Sequence, residues 1–174
     1  ITDGEMRRRG FVETFGGRLT GLENVGPDRK VGEISIDMEP ILETRAELGV
    51  PHGLGIVSEF QYLKAHTSRP TKVTVPGPFA ITSFIRPVAY YTDRTELARA
   101  FVPAINAEIR NLAAAGATFI QVDEPATPGV GADAHDPRDI AALFNACIEG
   151  VSGVKFAMHI CFGTYRKISY ARRT

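Results

Sequence analysis

The sequence predicts an α/β fold with a parallel sheet; one observation supports this class, and a second narrows the folds within it. Short apolar segments typical of buried strands alternate with segments whose apolar residues recur at helical spacing. Strands that are joined through helices form right-handed βαβ units, and such units build parallel sheets. In addition, no Gly-x-Gly-x-x-Gly motif follows any of the predicted strands, which argues against a dinucleotide-binding fold.

The second part of the chain has the clearest periodicity. Amphipathic patterns predict helices over residues 56–67, 93–115 and 137–149. The last helix is supported by Asp136 as N-cap and by Pro137 at its first position, and Gly116 ends the helix before it. Short apolar runs predict strands over residues 72–75, 117–122 and 154–159. Strand and helix therefore alternate along this part.

The first part of the chain is less regular. Residues 1–4 resemble the end of a strand that runs into a turn, and residues 16–30 predict a loop because their apolar residues have no sustained period. Residues 31–37 alternate between apolar and polar, which predicts a half-exposed strand. A short helix is predicted over residues 39–48, and the Gly- and Pro-containing segment 49–55 breaks it.

Composition excludes several classes of function. Lys and Arg together number 20, as do Asp and Glu, so no overall charge favours binding to nucleic acid or to an anionic membrane. Apolar runs are far shorter than the roughly 18 residues that a membrane span needs, and the beginning of the chain has no signal-peptide pattern. These features predict a soluble, cytoplasmic protein. Its two cysteines are expected to be thiols, and Cys147 is expected in the core.

Polar side chains with chemical potential occur at the ends of predicted strands. They form three pairs, namely Asp3 with Glu5, Asp123 with Glu124, and His159 with Cys161. In barrels built from βα units, the active site lies at the face formed by the carboxyl ends of the strands. The positions of the three pairs therefore favour a barrel over an open doubly wound sheet.

His159 and Cys161 have the spacing of a metal-binding pair on a strand. Side chains two residues apart in a strand point to the same face, about 7 Å apart. Imidazole nitrogen and thiolate sulfur are both ligands of zinc, and two ligands form half of a tetrahedral site. A buried cysteine beside a hydrogen-bonded histidine is the structural alternative for this pair. Zinc in an open site could bind a thiol substrate and convert it to a nucleophilic thiolate.

Four motifs, in this order along the chain, resemble those of one enzyme family. They are Thr2-Asp-Gly-Glu5, Lys72-Val-Thr-Val-Pro-Gly-Pro78, Ile120-Gln-Val-Asp-Glu-Pro-Ala126 and His159-Ile-Cys161. The chain resembles the catalytic barrel of cobalamin-independent methionine synthase over essentially its whole length. The resemblance implies a zinc-dependent transfer of a methyl group to the sulfur of homocysteine, which gives methionine.

The resemblance also implies roles for individual residues. His159 and Cys161 would be zinc ligands, and Glu5 and Asp123 would contact the amino group of homocysteine. In that family the remaining zinc ligands and a catalytic histidine lie further along the barrel, so no catalytic residue is expected within this chain. Residues 1–174 are therefore expected to form an incomplete catalytic barrel domain, a partial TIM (β/α)8-type barrel with a parallel sheet that lacks its first and last strands.

Two positions differ from the enzymes of that family that use folate. Phe84 stands where those enzymes carry a tryptophan, and Gly129 stands where they carry a glutamate. A methylated folate is the expected donor by resemblance, but these differences leave the donor open. Two alternatives to homocysteine methylation also stay open: a zinc-dependent alkyl transfer to another thiol such as coenzyme M, and an inactive truncated barrel.

Overall fold

The computed structural model describes residues 1–8, 10, 13–26, 41–124 and 136–160. The helices are α1 (Ile56–Ala65), α2 (Pro78–Ile81), α3 (Arg94–Ala114) and α4 (Pro137–Ile148), with short 3-10 helices at Glu13–Arg18 and Thr82–Phe84. The strands are β1 (Thr20–Gly26), β2 (Ile41–Gly49), β3 (Val73–Pro76), β4 (Ile85–Arg86), β5 (Phe119–Asp123) and β6 (Lys155–His159). Within these described ranges, no helix combines the length and the apolar character that crossing a membrane requires.

The main sheet has the order β3-β5-β6, and its strands are parallel. Helix α3 lies between β3 and β5 in the chain, and α4 lies between β5 and β6. The α/β class, the parallel sheet and all three predicted helices from residue 56 onwards are therefore confirmed. The three strands predicted in this part of the chain are confirmed as well, with boundaries that shift by one or two residues.

The two faces of the main sheet differ in character. One face carries Val73, Val75, Ile120 and Val122, all at most 6% exposed, and it belongs to the same core cluster as the apolar residues of α3. The opposite face carries Thr74, Gln121 and Asp123, because side chains alternate along a strand.

A second sheet has the order β1-β2-β4. The helix predicted over residues 39–48 is wrong, because Ile41–Gly49 forms a strand that pairs antiparallel with β1. Good helix formers occupy this segment, but Leu42 is 8% exposed and Thr44 is fully buried, and their two-residue spacing is that of a strand. Thr44 also accepts hydrogen bonds from the backbone amides of Val88 and Ala89 through its Oγ1, both at 3.1 Å. Tertiary contacts thus override helix propensity here.

The beginning of the chain contains more regular structure than expected. The predicted loop over residues 16–30 is wrong for its first part, which contains the end of a 3-10 helix and the whole of β1. The half-exposed strand predicted over residues 31–37 lies outside the described residues. At Ile1 the backbone nitrogen donates to Pro70 O at 2.6 Å and the carbonyl accepts from Lys72 N at 2.8 Å. These two bonds flank Thr71, as in a parallel ladder, but residues 1–3 form no strand in the structure, so the strand end predicted here stays a prediction.

Candidate active site at the carboxyl edge of the sheet

The last residues of three parallel strands share one register position. Pro76 is the register partner of Asp123, and Asp123 is the register partner of His159. Neighbouring strands are about 4.8 Å apart, and register partners in a sheet project to the same face. Asp123 and His159 therefore stand side by side at the carboxyl edge, on the polar face.

Asp123 is buried at this edge, with an exposed fraction of 3%. Its Oδ1 accepts a hydrogen bond of 2.6 Å from Nε2 of Gln121, which is two residues earlier on the same face. Burial raises the pKa of Asp123 above its usual value, and the nearby charge of Glu5 acts in the same direction. The hydrogen bond from Gln121 and the charges of His159 and Lys72 oppose this rise in pKa.

Glu5 lies in a turn that brings it to the first strand of this sheet. Its backbone has φ of 58°, a left-handed conformation that is uncommon for a residue other than glycine. The Glu5 amide donates to Asp3 Oδ1 at 3.0 Å, and the Glu5 carbonyl accepts from Arg8 N at 2.9 Å. The side chain reaches Thr74, whose Oγ1 donates to Glu5 Oε1 at 2.6 Å. Glu5 is thus fixed over β3.

The side chain of Arg8 connects this turn to β3 and to α1. This side chain is 3% exposed, and Nη1 donates to Glu5 Oε1 at 3.0 Å. Nη2 donates to the carbonyl of Thr74 at 3.1 Å and pairs with Glu59 Oε2 of α1 at 2.9 Å. Among the described residues, the hydrogen bonds to the Glu5 carboxylate from Arg8 and Thr74 both end on Oε1. The Oδ2 atom of Asp3 is buried and has no hydrogen-bond partner among the described residues.

Glu124 follows Asp123 but has a different environment. It is 1% exposed, and its carboxylate accepts hydrogen bonds from Phe79 N at 3.1 Å and Ala80 N at 2.8 Å. It therefore caps the beginning of α2. Burial raises the pKa of Glu124 to about 7, although the hydrogen bonds from Phe79 and Ala80 and the charge of Arg94 oppose this. These contacts give Glu124 a structural role.

His159 is the exposed member of the edge. Its backbone carbonyl accepts from Glu124 N at 2.9 Å, which continues the ladder one residue past the end of β5. Among the described residues, no hydrogen bond to its ring is present. Cys161, the predicted second ligand, lies outside the described residues, and the described part of the chain contains no cluster of three or more His, Cys, Asp or Glu that could hold a metal ion.

Sequence reasoning missed the residues that hold the two carboxylates. Arg8, Lys72 and Gln121 were not singled out, although Gln121 carries a usable signal. A polar residue two positions before a strand-end carboxylate lies on the same face and within reach of it. Arg8 lies three residues after its partner Glu5, but its other partners Glu59 and Thr74 are distant in sequence, so its position between α1 and β3 was not predictable.

Of the two positions that differ from folate-using enzymes, one lies among the described residues and one lies outside them. Phe84 is 4% exposed and belongs to the main core cluster. Gly129 lies outside the described residues.

Comparison with known proteins identifies relatives of the chain. Residues 1–164 match the family model described as the catalytic domain of cobalamin-independent synthase. The chain is 36% identical to a methionine synthase of Saccharolobus solfataricus over 168 residues, which are 94% of this chain and 47% of that protein. It is 33% identical to a methionine synthase of Thermococcus kodakarensis, covering 94% of this chain and 46% of that protein.

Two solved structures are also similar to the chain. A B12-independent methionine synthase from Shewanella sp. W3-18-1, determined in complex with selenomethionine, matches with a TM-score of 0.75 and 29% identity. The match covers 96% of this chain and 47% of that chain. A putative vitamin-B12-independent methionine synthase from Listeria monocytogenes has the same fold, with a TM-score of 0.63 and 22% identity over 97% of this chain and 50% of that one.

The chain thus spans about half the length of the relatives that it matches. The family match extends from the turn that carries Glu5 to beyond the strand that carries His159. All of the described residues at the carboxyl edge lie inside it. The chain therefore belongs to the family of cobalamin-independent synthase catalytic domains.

Proposed function

We propose that this chain is part of a methyltransferase that transfers a methyl group to the thiol of homocysteine and so forms methionine. The observation that carries the proposal is the arrangement of Glu5, Asp123 and His159 at one edge of the parallel sheet. The names of the relatives, methionine synthases, support the same reaction. We propose that the activity is cytoplasmic. We also propose that residues 1–174 form part of a (β/α)8-type barrel, which contains the parallel sheet.

Two carboxylates near each other suit the amino acid part of homocysteine. Glu5 and Asp123 are close enough for the charge of one to influence the pKa of the other. Two carboxylates that are partly removed from water repel each other, and a substrate ammonium between them relieves this repulsion through charge-assisted hydrogen bonds. In this proposal Glu5 Oε2 and Asp123 Oδ2 accept those hydrogen bonds.

His159 and Cys161 are the proposed ligands of a zinc ion. The exposed imidazole of His159, next to a buried carboxylate at the carboxyl edge, fits a metal ligand, and a soft donor such as the Cys161 thiolate fits zinc. Further ligands would have to come from residues beyond those described. Bound zinc lowers the pKa of a thiol and so supplies a thiolate near neutral pH.

The residues of this chain bind and orient the acceptor. The ammonium held by Glu5 and Asp123 would fix the amino acid part and direct the sulfur toward the side of His159. Transfer then forms a sulfur–carbon bond while the bond between the methyl group and the donor nitrogen breaks. The thiol gives up its proton, and the donor nitrogen takes up a proton in place of the methyl group. A methylated folate is the proposed donor, in line with the family.

The structure favours homocysteine over the alternative acceptor. Coenzyme M has a sulfonate in place of the amino acid group, and an anionic sulfonate would be repelled by Glu5 and Asp123. An inactive truncated barrel offers no reason to keep two carboxylates near each other at this edge, since like charges repel each other.

The test uses the complete protein that contains this chain, with homocysteine or coenzyme M as acceptor and 5-methyltetrahydrofolate or its polyglutamate as donor. Methylated product is measured by mass spectrometry. We expect methionine to form, and we expect D123N to raise the KM for homocysteine at least about tenfold, since it removes a charged hydrogen-bond acceptor. D139N is the control, because the ion pair between Asp139 and Arg99 is exposed and lies on α4, away from the edge that carries Asp123. Methylated coenzyme M without methionine would refute the acceptor, and no turnover with any pair would favour the inactive barrel.

A further inference from the structure

We infer that Lys72 and Gln121 are positioning residues for the substrate ammonium, because together they orient the carboxylate of Asp123. The inference rests on the proposed function, in which Asp123 accepts a hydrogen bond from homocysteine. Nζ of Lys72 donates to Oε1 of Gln121 at 2.7 Å, and Nε2 of Gln121 donates to Oδ1 of Asp123 at 2.6 Å. The three side chains thus form one directed chain from a cation to a carboxylate.

The sheet brings these three residues together. Gln121 and Asp123 are two residues apart in β5 and share the polar face. Gln121 is the register partner of Thr74, and Lys72 lies two residues before Thr74, so Lys72 is the diagonal neighbour of Gln121 on that face. A lysine side chain can span such a diagonal, and the 2.7 Å contact shows that it does.

The direction of the hydrogen bonds follows from chemistry. A lysine ammonium has only donors, so it can bond only to the oxygen of the Gln121 amide. The amide nitrogen is then left to face Asp123, which accepts the hydrogen bond on Oδ1. Lys72 therefore prevents the amide from rotating by half a turn, which would place its oxygen against the carboxylate.

The amide also keeps the cation at a distance from the carboxylate. A lysine in direct contact with Asp123 would occupy the position that the substrate ammonium needs. With Gln121 between them, Lys72 still favours the charged form of Asp123, but Oδ2 accepts no hydrogen bond from the described residues. The arrangement supports the negative charge of Asp123 and leaves one oxygen for the ligand.

The test compares K72M with K72R and K155M in the complete protein. K72M removes the donor but keeps most of the volume, and K72R restores a donor. K155M is the matched control, because Lys155 is an exposed lysine at the start of β6 that lies over the ring of Phe119 at 5.4 Å. Steady-state kinetics give kcat and the KM for homocysteine, and thermal unfolding checks that each variant is folded.

We expect K72M to raise the KM for homocysteine roughly three- to tenfold with kcat within about twofold, since a hydrogen bond to a charged group is weakened but not removed. K72R should recover most of the affinity and K155M should behave as the wild type. Q121L should have a larger effect in the same direction. Unchanged KM values in K72M and Q121L would overturn the inference, as would equal losses in K72M and K155M.

A homocysteine analogue without the amino group separates an effect on the substrate ammonium from a general effect on folding. 4-Mercaptobutanoate is homocysteine without its amino group, and its binding is measured as competitive inhibition. K72M should weaken the binding of homocysteine but leave the inhibition constant of this analogue unchanged. If K72M weakened the binding of both compounds equally, the inference would be overturned while the proposed function would stand. Wild-type protein that forms no methionine would overturn the proposed function, and this inference with it.

Discussion

The carboxylate of Glu124 lies against the backbone of Gly77, in the space that a Cβ on Gly77 would need. Gly77 precedes α2 and has φ of −77°, which any residue can adopt. Space and not backbone conformation therefore requires glycine at this position. The close approach lets Glu124 accept hydrogen bonds from Phe79 N and Ala80 N.

G77A should destabilise the protein by about 2 kcal/mol, because the added methyl group displaces Glu124 from the amides it caps. Urea unfolding measures the free energy change. G17A is the control, since a Cβ at Gly17 meets no atom within 4 Å. Equal stability of the two variants would show that Glu124 can move at no cost.

Stability should depend on pH through Glu124. Its pKa rises from 4.5 to about 7 in the folded protein, so the folded state binds more protons than the unfolded state between these values. The contribution of Glu124 is therefore fully present below about pH 4.5, decreases as the pH rises, and is lost above about pH 7, by about 3 kcal/mol in total. The difference in unfolding free energy between wild type and E124Q, measured from pH 4.5 to 8, should follow this curve. E149Q, which changes an exposed carboxylate, is the comparison variant, and a constant difference for E124Q would contradict the prediction.

R8M should lower stability by about 2 kcal/mol or more, because it leaves the carboxylates of Glu5 and Glu59 without their common partner. R8K should recover part of this loss. The measurement is denaturant unfolding, with R45M as control. Arg45 also contacts two carboxylates but is 46% exposed, so its removal should cost at most about 1 kcal/mol. An R8M protein as stable as R45M would argue against Arg8 as the anchor of the turn.

Zinc content should distinguish the histidines. In the complete protein, H159Q and C161S should each lose most of the bound zinc after dialysis, because each removes a proposed ligand. H66Q is the control, since His66 lies at the end of α1 and its Nδ1 contacts the carbonyl of Tyr62 at 2.8 Å. Metal analysis by mass spectrometry gives the ratio of zinc to protein. Full retention of zinc by H159Q would exclude His159 as a ligand.

Sequence reasoning located the elements whose periodicity is undisturbed. Helix α3 was predicted because its buried residues Leu97, Phe101, Ile105, Ile109 and Leu112 recur at helical spacing. The prediction was wrong for β2, where Glu, Arg and Ala indicate a helix but pairing with β1 determines a strand. The intrinsic helix propensity of residues contributes little free energy, and pairing with a neighbouring strand contributes more.

For the site, the sequence indicated positions but not environments. Asp123 and His159 stand at the ends of their strands, as the apolar runs before them suggest, while their roles stay predictions. The different surroundings of Asp123 and Glu124 were not predictable, because Glu124 depends on the approach of Phe79 and Ala80. Glu108 is another example: it is 4% exposed and accepts hydrogen bonds from the amides of Leu54, Ile56 and Val57. Contacts across more than 40 positions leave no local pattern in the sequence.

The shared register of β5 and β6 determines how the chain can tolerate insertions. Hydrogen bonds of 2.9 Å fix β6 at both ends, from Lys155 N to Thr118 O and from Glu124 N to His159 O. A slip by one residue would exchange the imidazole of His159 for the side chain of Met158 or Ile160 on the polar face. Added residues in the turn at 149–153 can be absorbed outside the sheet, but a single residue added within 155–159 would remove the imidazole from the edge without altering any residue of the site.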